Sequence, residues 1–546
     1  MKGVRLKPSI KRLLGSVVST AAGRKLVNRC SPGFATVFLL HRAAGIHPGI
    51  HGHDPEGLEQ ILIGLKKRRF NLVPLDAVVS AARGTTTLPN QSVAFTMDDG
   101  YWDQLEVLAP VFVRHGVPLT VFLTTGLLDG ELWPWDAKIH WLMMRFDRQQ
   151  LEIPVGRQRI CWPTGSAQER RSARRELQAI AAAISSEQLP SFLSSLEDAV
   201  GIKLPKNAPE EFQPASWDQV RSLEAEGVRF APHTHSHRIL SRLSEEGARR
   251  ELLRSLDRVR SCTKQALPVM AYPVGMEAHF GSREMTLAKG LGYAAAFSVC
   301  GEYLRWKRAD GVSDSRCYSI PRYALPSKIS DAMWIAGGVE LFKWSSVSLM
   351  SHMGELVYGH GRRTGRVGRR VFLRSQLRKL ALSLGQYSRF REIDPGRIKR
   401  LVFVCRGNVC RSPYAEKVAQ RLGFPAVSCG TEVLHSSPAE QMAVRAALMR
   451  GEDLSEHMSK SIFDNNFQYT DCLIVMDPSQ IQVAQKVADR VNCQVSLLGM
   501  WNIQKTPEIY DPYGRSIESF NECFMFISNC IDKLVLHLNS DNGMVD

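Results

Sequence analysis

Long apolar runs are missing from this chain of 546 residues: nowhere do 18 consecutive apolar residues occur, so no transmembrane helix is evident. Cysteine pairing signals are missing too. The 12 cysteines show no CxxC pair and no regular spacing, which excludes a disulfide framework and points to a reducing compartment. No internal repeat is visible. Acidic residues are absent from residues 1–30, which carry eight Lys or Arg, and scarce in residues 361–400, where 13 Lys or Arg face only Glu392 and Asp394. The net charge is +16, and the remaining 476 residues sum to −3. Basicity therefore belongs to two segments and not to the folded bodies. Such segments can lie on anionic headgroups at about 1 kcal/mol per basic side chain, attract an anionic polymer, or act as solvated linkers. Peripheral membrane contact stays open, and no nucleic-acid partner is expected.

What is present reads as folded protein. The chain is 44% hydrophobic, 23% charged and 8% aromatic, which excludes wholly disordered and collagenous classes, and its length suits two to four domains. Residues 1–30 read as a basic leader helix. The uncharged run 13–23 is too polar for a secretory h-region and lacks an A-x-A site, so a cytoplasmic location, with membrane association left open, is expected.

From residue 31 to about 330, short apolar runs at 34–40, 93–96, 119–124, 228–231 and 268–272 alternate with helix-length segments. That alternation predicts an α/β body built on a parallel sheet or barrel. A charge-rich, largely helical insertion over about 133–216, with good helical period from 170 to 196, predicts a lid or lateral wall. Residues 331–397 read as a basic linker. A new α/β pattern opens at about 398 and runs to 546. Its predicted strands lie at 400–404, near 426 and at 471–476, and its helices start at 412, 439 and 516.

The first constellation sits at strand ends. The run 93–96 leads into Met97-Asp98-Asp99-Gly100, and the run 228–231 into Pro232-His233-Thr234-His235-Ser236-His237. Histidines at i and i+4 can share one metal, a carboxylate from another strand completes a three-ligand site, and a second carboxylate can take a proton. Asp-Asp-Gly alone is usually a turn, and a lone His usually a satisfied polar residue. Together, each after a strand, they resemble the polysaccharide deacetylase family (carbohydrate esterase family 4), whose motifs are Thr-Phe-Asp-Asp-Gly and His-Ser/Thr-x-x-His. The resemblance covers about 31–330 and includes His41, Ala271-Tyr272-Pro273-Val274-Gly275 and Ser319-Ile320-Pro321-Arg322. It implies a distorted (β/α) barrel of deacetylase type, with Asp98 as general base and Asp99, His233 and His237 as ligands of a divalent metal such as Zn²⁺. It also implies the backbone N–H of Val274 as oxyanion donor. Met97 stands where the family has an aromatic. No Leu-x-His motif supplies the family's general acid, and Met350-Ser351-His352 is a poor substitute.

The second constellation is Cys405-Arg406-Gly407-Asn408-Val409-Cys410-Arg411-Ser412-Pro413 between a strand and a helix. Five residues between Cys and Arg let successive N–H groups point at an oxyanion above a helix N-terminus, lowering the thiol's pKa while the arginine grips phosphoryl oxygens. Gly407 and Asn408 tolerate the dihedrals that so tight a curl needs. The loop and the later Asp511-Pro512-Tyr513-Gly514 closely resemble a low-molecular-weight protein tyrosine phosphatase, of the bacterial branch that acts on tyrosine kinases controlling polysaccharide export. Ser428-Cys429-Gly430-Thr431, Asp453-Leu454-Ser455-Glu456-His457 and Val475-Met476-Asp477 also look like family segments. The resemblance implies a doubly wound parallel-sheet domain over 398–546, with Cys405 as nucleophile, Arg411 as transition-state binder and Asp511 as general acid. Arg406, Gly407, Asn408, Val409, Cys410 and Ser412 would form the phosphate-binding loop. Cys410 could be a plain loop residue or form a reversible disulfide with Cys405. An arsenate reductase on the same fold would need two more cysteines, which Cys472 and Cys493 fit badly.

Together these resemblances imply a bifunctional hydrolase acting on an N-acetylated glycan and a phosphotyrosine protein, with a bacterial tyrosine kinase as one candidate. Two rival readings are an active phosphatase carrying a non-catalytic glycan-binding module, and a scaffold in which neither site turns over.

Overall fold

The computed structural model describes residues 33–306, 314–341, 382, 385–503 and 505–540. The basic leader 1–30, Met350-Ser351-His352 and most of the linker 331–397 lie outside the described residues. The described residues divide into two compact units: one takes 33–146 and those from Ser185 to 341, and the other takes Asp147–Ile184 with the described residues from 382 onward.

In chain order the strands are β1 (Phe34–Leu40), β2 (Asn71–Leu72), β3 (Ser92–Asp99), β4 (Leu119–Leu123), β5 (Gln150–Val155), β6 (Gln158–Pro163), β7 (Arg229–Pro232), β8 (Val269–Ala271), β9 (Ala295–Phe297), β10 (Leu304–Arg305), β11 (Tyr323–Ala324), β12 (Arg400–Cys405), β13 (Ala426–Gly430), β14 (Asp471–Val475) and β15 (Gln494–Leu497).

The N-terminal unit is built on a mostly parallel sheet ordered β10-β1-β3-β4-β7, with β11 beside β1 and β2 beside β3. Every residue of β1 and β3 is buried, as both faces of a parallel sheet demand. Alternate side chains enter two different cores. Phe38, Leu40, Val93, Phe95 and Met97 pack with Leu58, Ile61, Leu62 and Leu65 of the helix Pro55–Lys67. Val37 and Ala94 face the other way, toward Leu252 and Leu256 of the helix Glu245–Cys262. Met97 is fully buried, so its thioether fills the volume the family gives to an aromatic ring. The ladder β8–β9 is tied to the sheet by Leu267 N donating to Phe230 O at 2.9 Å and by the bridge between Phe297 and Ile320, whose chain runs on into β11.

The C-terminal unit has a four-stranded, all-parallel sheet ordered β13-β12-β14-β15. The winding order reverses at β12, with β13 added on one side and β14 on the other, and in doubly wound folds the crevice beyond the strand ends at that point takes the ligand. Tyr414 of the helix Arg411–Arg421 stacks on Phe524 of the helix Ile517–Ser540 with ring centroids 3.9 Å apart. The same unit contains the hairpin β5–β6 and the helix Ala167–Ala183. Glu176 of that helix accepts from Arg445 Nε at 2.9 Å, Arg445 Nη2 at 2.5 Å and Trp162 Nε1 at 3.0 Å, all buried. At the hairpin turn, Arg157 pairs with Glu456 at 2.6 Å.

The insertion departs from one helical run. Its periodic stretch 170–196 is two helices, Ala167–Ala183 and Leu189–Val200, separated at Ile184, whose extended backbone ends the first; Pro190 fits the first turn of the second. The hairpin β5–β6 precedes them. Strands β9 and β15, three and four residues long, are too short for periodicity to reveal.

Candidate active sites

Asp98 and Asp99 end β3, and His233 and His237 follow β7, parallel strands on either side of β4, so all four arrive at the same end of the sheet. Asp99 Oδ1 lies 3.7 Å from His233 Nε2 and 3.4 Å from His237 Nε2, and the two rings sit 5.0 Å apart. One ligand atom from each of these buried residues falls within 4.8 Å of the others. Ligands held about 2.0–2.2 Å from one ion are spaced this way, and two imidazole nitrogens with a carboxylate oxygen suit a divalent cation such as zinc. The cage carries unusual backbone: Asp99, Thr234 and His237 have φ of 91°, 63° and 56°, a conformation held only where the surroundings over-determine it.

Each imidazole is fixed from behind. His233 Nδ1 lies 2.8 Å from Ala271 O, and His237 Nδ1 lies 3.0 Å from Asp136 Oδ1. Burial depresses the His233 pKa to about 3. Burial also works to lower that of His237, but Asp136, Asp99 and Asp98 outweigh it and raise it to about 9. For Asp99, burial dominates over the neighbouring His237 and raises the carboxyl.

Asp98 has a different environment. Both of its oxygens accept from the fully buried guanidinium of Arg322, at 2.7 Å from Nη1 and 2.8 Å from Nη2. Arg322 is held in turn by Thr96 Oγ1 at 3.2 Å and Ser298 O at 3.2 Å. Burial alone would raise the Asp98 carboxyl, but Arg322 and His233 reverse the shift and hold it at about 2. It is ionised throughout the neutral range.

His41, exposed at the end of β1, is close enough for its charge to lower the pKa of Asp98, Asp99 and Asp136. Gln104 donates to the carbonyls of both His41 and Asp98, which ties the ends of β1 and β3 together. Val274, with φ of 60°, lies three residues past Ala271, the residue that holds His233. His235 is turned out of the cage: its Nδ1 meets Thr125 Oγ1 at 3.0 Å and its Nε2 meets Glu131 at 3.3 Å. Glu251 clamps the turn by accepting from the backbone N–H of His235 and Ser236 at 2.9 and 2.8 Å. Asp136, Gln104 and Glu251 carry no motif of their own, so sequence reasoning passes over them.

In the C-terminal unit, Cys405 closes β12 and residues 406–410 curl back over it to the helix Arg411–Arg421. Cys405 Sγ accepts from Asn408 N–H at 3.2 Å and from Ser412 Oγ at 3.0 Å. Asn408, at φ 53°, donates to Ser412 Oγ and Ser428 Oγ at 3.0 and 2.9 Å and accepts from Lys460 N at 2.8 Å. Its carbonyl lies 2.8 Å from His457 Nε2, so the 453–457 segment braces the loop. Arg411 is buried and donates to Asp511 Oδ2 at 2.5 Å and Ile509 O at 2.9 Å. Cys405, Arg406, Arg411 and Asp511 line one cleft of about 450 Å³, with Leu434 (89% exposed) and Tyr513 (63% exposed) at its edge. Burial, with the neighbouring Cys405, pushes the Cys410 thiol far up, so Cys410 is protonated beside Cys405. Cys472 pairs with Leu401, four residues before Cys405 on β12, which puts it roughly 13 Å down the strand and out of relay range.

Two side-chain constellations are thus laid out at the strand ends of two α/β folds, one of two histidines and two carboxylates and the other a cysteine under a curled loop that ends in an arginine. A family model described as polysaccharide deacetylase matches residues 85–296, and one described as low molecular weight phosphotyrosine protein phosphatase matches residues 400–543. The chain belongs to the low molecular weight phosphotyrosine protein phosphatase family and carries a domain of the polysaccharide deacetylase family ahead of it. It is similar to the Ralstonia nicotianae protein named "Probable low molecular weight protein-tyrosine-phosphatase EpsP", at 31% identity over 25% of this chain and 94% of that one. It is similar to the low molecular weight protein-tyrosine-phosphatase Wzb of Salmonella typhi at 27% identity, over 26% of this chain and 97% of Wzb. Among solved structures, the Streptococcus pyogenes deacetylase PplD in complex with acetate aligns over 56% of this chain and 97% of that one, at 14% identity and a TM-score of 0.36.

Proposed function

We propose that the chain is a bifunctional hydrolase that removes acetyl groups from an N-acetylated glycan and phosphate from protein phosphotyrosine, in bacterial surface-polysaccharide assembly. The observation that carries this reading is the presence of both cages on one chain: Asp99 within 3.7 Å of two imidazole nitrogens, and Cys405 Sγ held by Asn408 and Ser412.

In the deacetylase half, a divalent ion, Zn²⁺ in our reading, would be held by Asp99, His233 and His237 and supply Lewis acidity toward the amide carbonyl. Asp98 takes the proton of the attacking water. A carboxylate at about 2 is a weak base, so orientation by Arg322, not driving force, is its main contribution. The N–H of Val274 donates to the oxygen that becomes the oxyanion. His41, exposed just past β1 and near enough to act electrostatically on Asp98 and Asp99, gives a proton to the departing amine in the role the family assigns to a Leu-x-His histidine.

In the phosphatase half, Cys405 Sγ attacks phosphorus while the ester P–O bond breaks and Asp511 gives its proton to the leaving phenolate. Water then cleaves the phosphocysteine, with Asp511 taking its proton and the thiolate leaving. The loop N–H groups of residues 406–410 and the guanidinium of Arg411 bind the phosphoryl oxygens, and Ser412 stabilises the thiolate. The need for reduced Cys405 places the chain in the cytoplasm in this reading. A tyrosine kinase of the same export system is the protein substrate.

Acetate release from N-acetylated oligosaccharides and hydrolysis of p-nitrophenyl phosphate test both halves. Cys405→Ser abolishes the second and spares the first, and Asp98→Asn does the reverse. Phosphatase activity surviving in Cys405→Ser contradicts the reading.

A further inference from the structure

The helix Trp135–Arg145 opens the segment that sequence alone reads as a lid or wall, yet its first turn grips His237 twice. Trp135 Nε1 donates to the backbone carbonyl of His237 at 2.9 Å, and Asp136 Oδ1 lies 3.0 Å from His237 Nδ1. Trp135 and His237 are both buried, and His237 is held at φ 56°. A neutral imidazole has one N–H to place. An acceptor at Nδ1 keeps the proton there and leaves the Nε2 lone pair free, and that is the nitrogen His237 turns toward Asp99 Oδ1 at 3.4 Å. The partner imidazole uses a different device. His233 Nδ1 faces the carbonyl of Ala271 at 2.8 Å, a neutral acceptor contributed by β8. One ligand is therefore backed by the sheet and the other by a carboxylate from the insertion.

We propose that Asp136, assisted by Trp135, is a positioning residue for His237: it sets the tautomer and ring orientation that let the Asp99–His233–His237 cage hold its cation, so the helix Trp135–Arg145 is part of the metal centre. This rests on the deacetylase reading of that site. Loss of a carboxylate behind a ligating histidine typically weakens metal affinity about 10- to 100-fold.

The test is Zn²⁺ affinity, measured on the metal-free full-length chain by competition with a chromophoric chelator. His233→Ala sets the background from other thiols and imidazoles. Asp136→Ala is expected to bind about 10- to 100-fold more weakly than the parent at the site His233→Ala abolishes. Asp136→Asn, whose amide oxygen still accepts a hydrogen bond, should recover part of that loss, and Trp135→Phe should lose less. A cooperative thermal transition of the metal-free chain and the parental rate of p-nitrophenyl phosphate hydrolysis are expected in every variant, which separates a metal effect from misfolding. Should Asp136→Ala not fold, Asp136→Asn carries the test. Affinities of both Asp136 variants within about twofold of the parent overturn the proposal. A parent indistinguishable from His233→Ala overturns the metal-centre reading itself, and the positioning role with it.

Discussion

Asp98 and Arg322, 224 residues apart in the chain, face each other across two parallel hydrogen bonds of 2.7 and 2.8 Å. The fork of a guanidinium matches a carboxylate at two points, which an ammonium cannot do. Arg322→Lys keeps the charge and loses the geometry. Acetate release is expected to fall about 10²-fold in kcat, the scale of a 1 Å misplacement, while p-nitrophenyl phosphate hydrolysis stays at the parental rate. Steady-state kinetics of both activities check this.

Asn408 is the hub of the phosphate loop, with partners at Cys405, Ser412, Ser428 and Lys460. Asn408→Ala removes the side-chain bonds and places a less tolerant residue at φ 53°. Leaving buried groups unpaired costs about 1–3 kcal/mol, and we expect the phosphatase kcat to drop about 10- to 100-fold. Stopped-flow detection of the phosphocysteine burst would locate the loss in the attack step.

Gly430 lies against the same loop. A Cβ there would stand 2.8 Å from the carbonyl oxygen of Arg406 and 3.0 Å from the amide nitrogen of Asn408, both backbone atoms that cannot swing away. Gly430→Ala is expected to weaken inhibition by vanadate and lower phosphatase turnover together, since the displaced N–H groups serve both. Acetate release should not change.

Glu176 and Arg445 form a buried ion pair across 269 residues of sequence. Removing either partner alone strands a charge, at a cost of about 3–5 kcal/mol, whereas replacing both with apolar residues of similar volume costs far less. In urea, the inactivation midpoint of the phosphatase should fall steeply in Arg445→Met and in Glu176→Leu and recover in the double variant. Equal, additive losses would remove the pair from the account.

Much of both sites is legible in the sequence because each chemical group sits next to the strand end that positions it. Asp98-Asp99, His233-x-x-x-His237 and Cys405 to Arg411 are contiguous, so residue type and spacing expose them. What escapes is what arrives from elsewhere. Asp136 reaches His237 from a helix that carries no motif, and Gln104 joins two strand ends through a single side chain. Arg322 stands in a segment the resemblance includes, but its hold on Asp98 depends on β11 lying beside β1. Strands β9 and β15 escape for another reason: runs of three and four residues give hydrophobic alternation too few positions to register.

The most direct test is to strip the full-length chain with a strong chelator, restore it with Zn²⁺, and follow both reactions in one preparation. The account predicts that acetate release disappears and returns on adding Zn²⁺, while phosphate release from p-nitrophenyl phosphate is indifferent throughout. Acetate release that survives metal removal, or phosphate release that tracks the metal, would contradict the assignment of two independent centres.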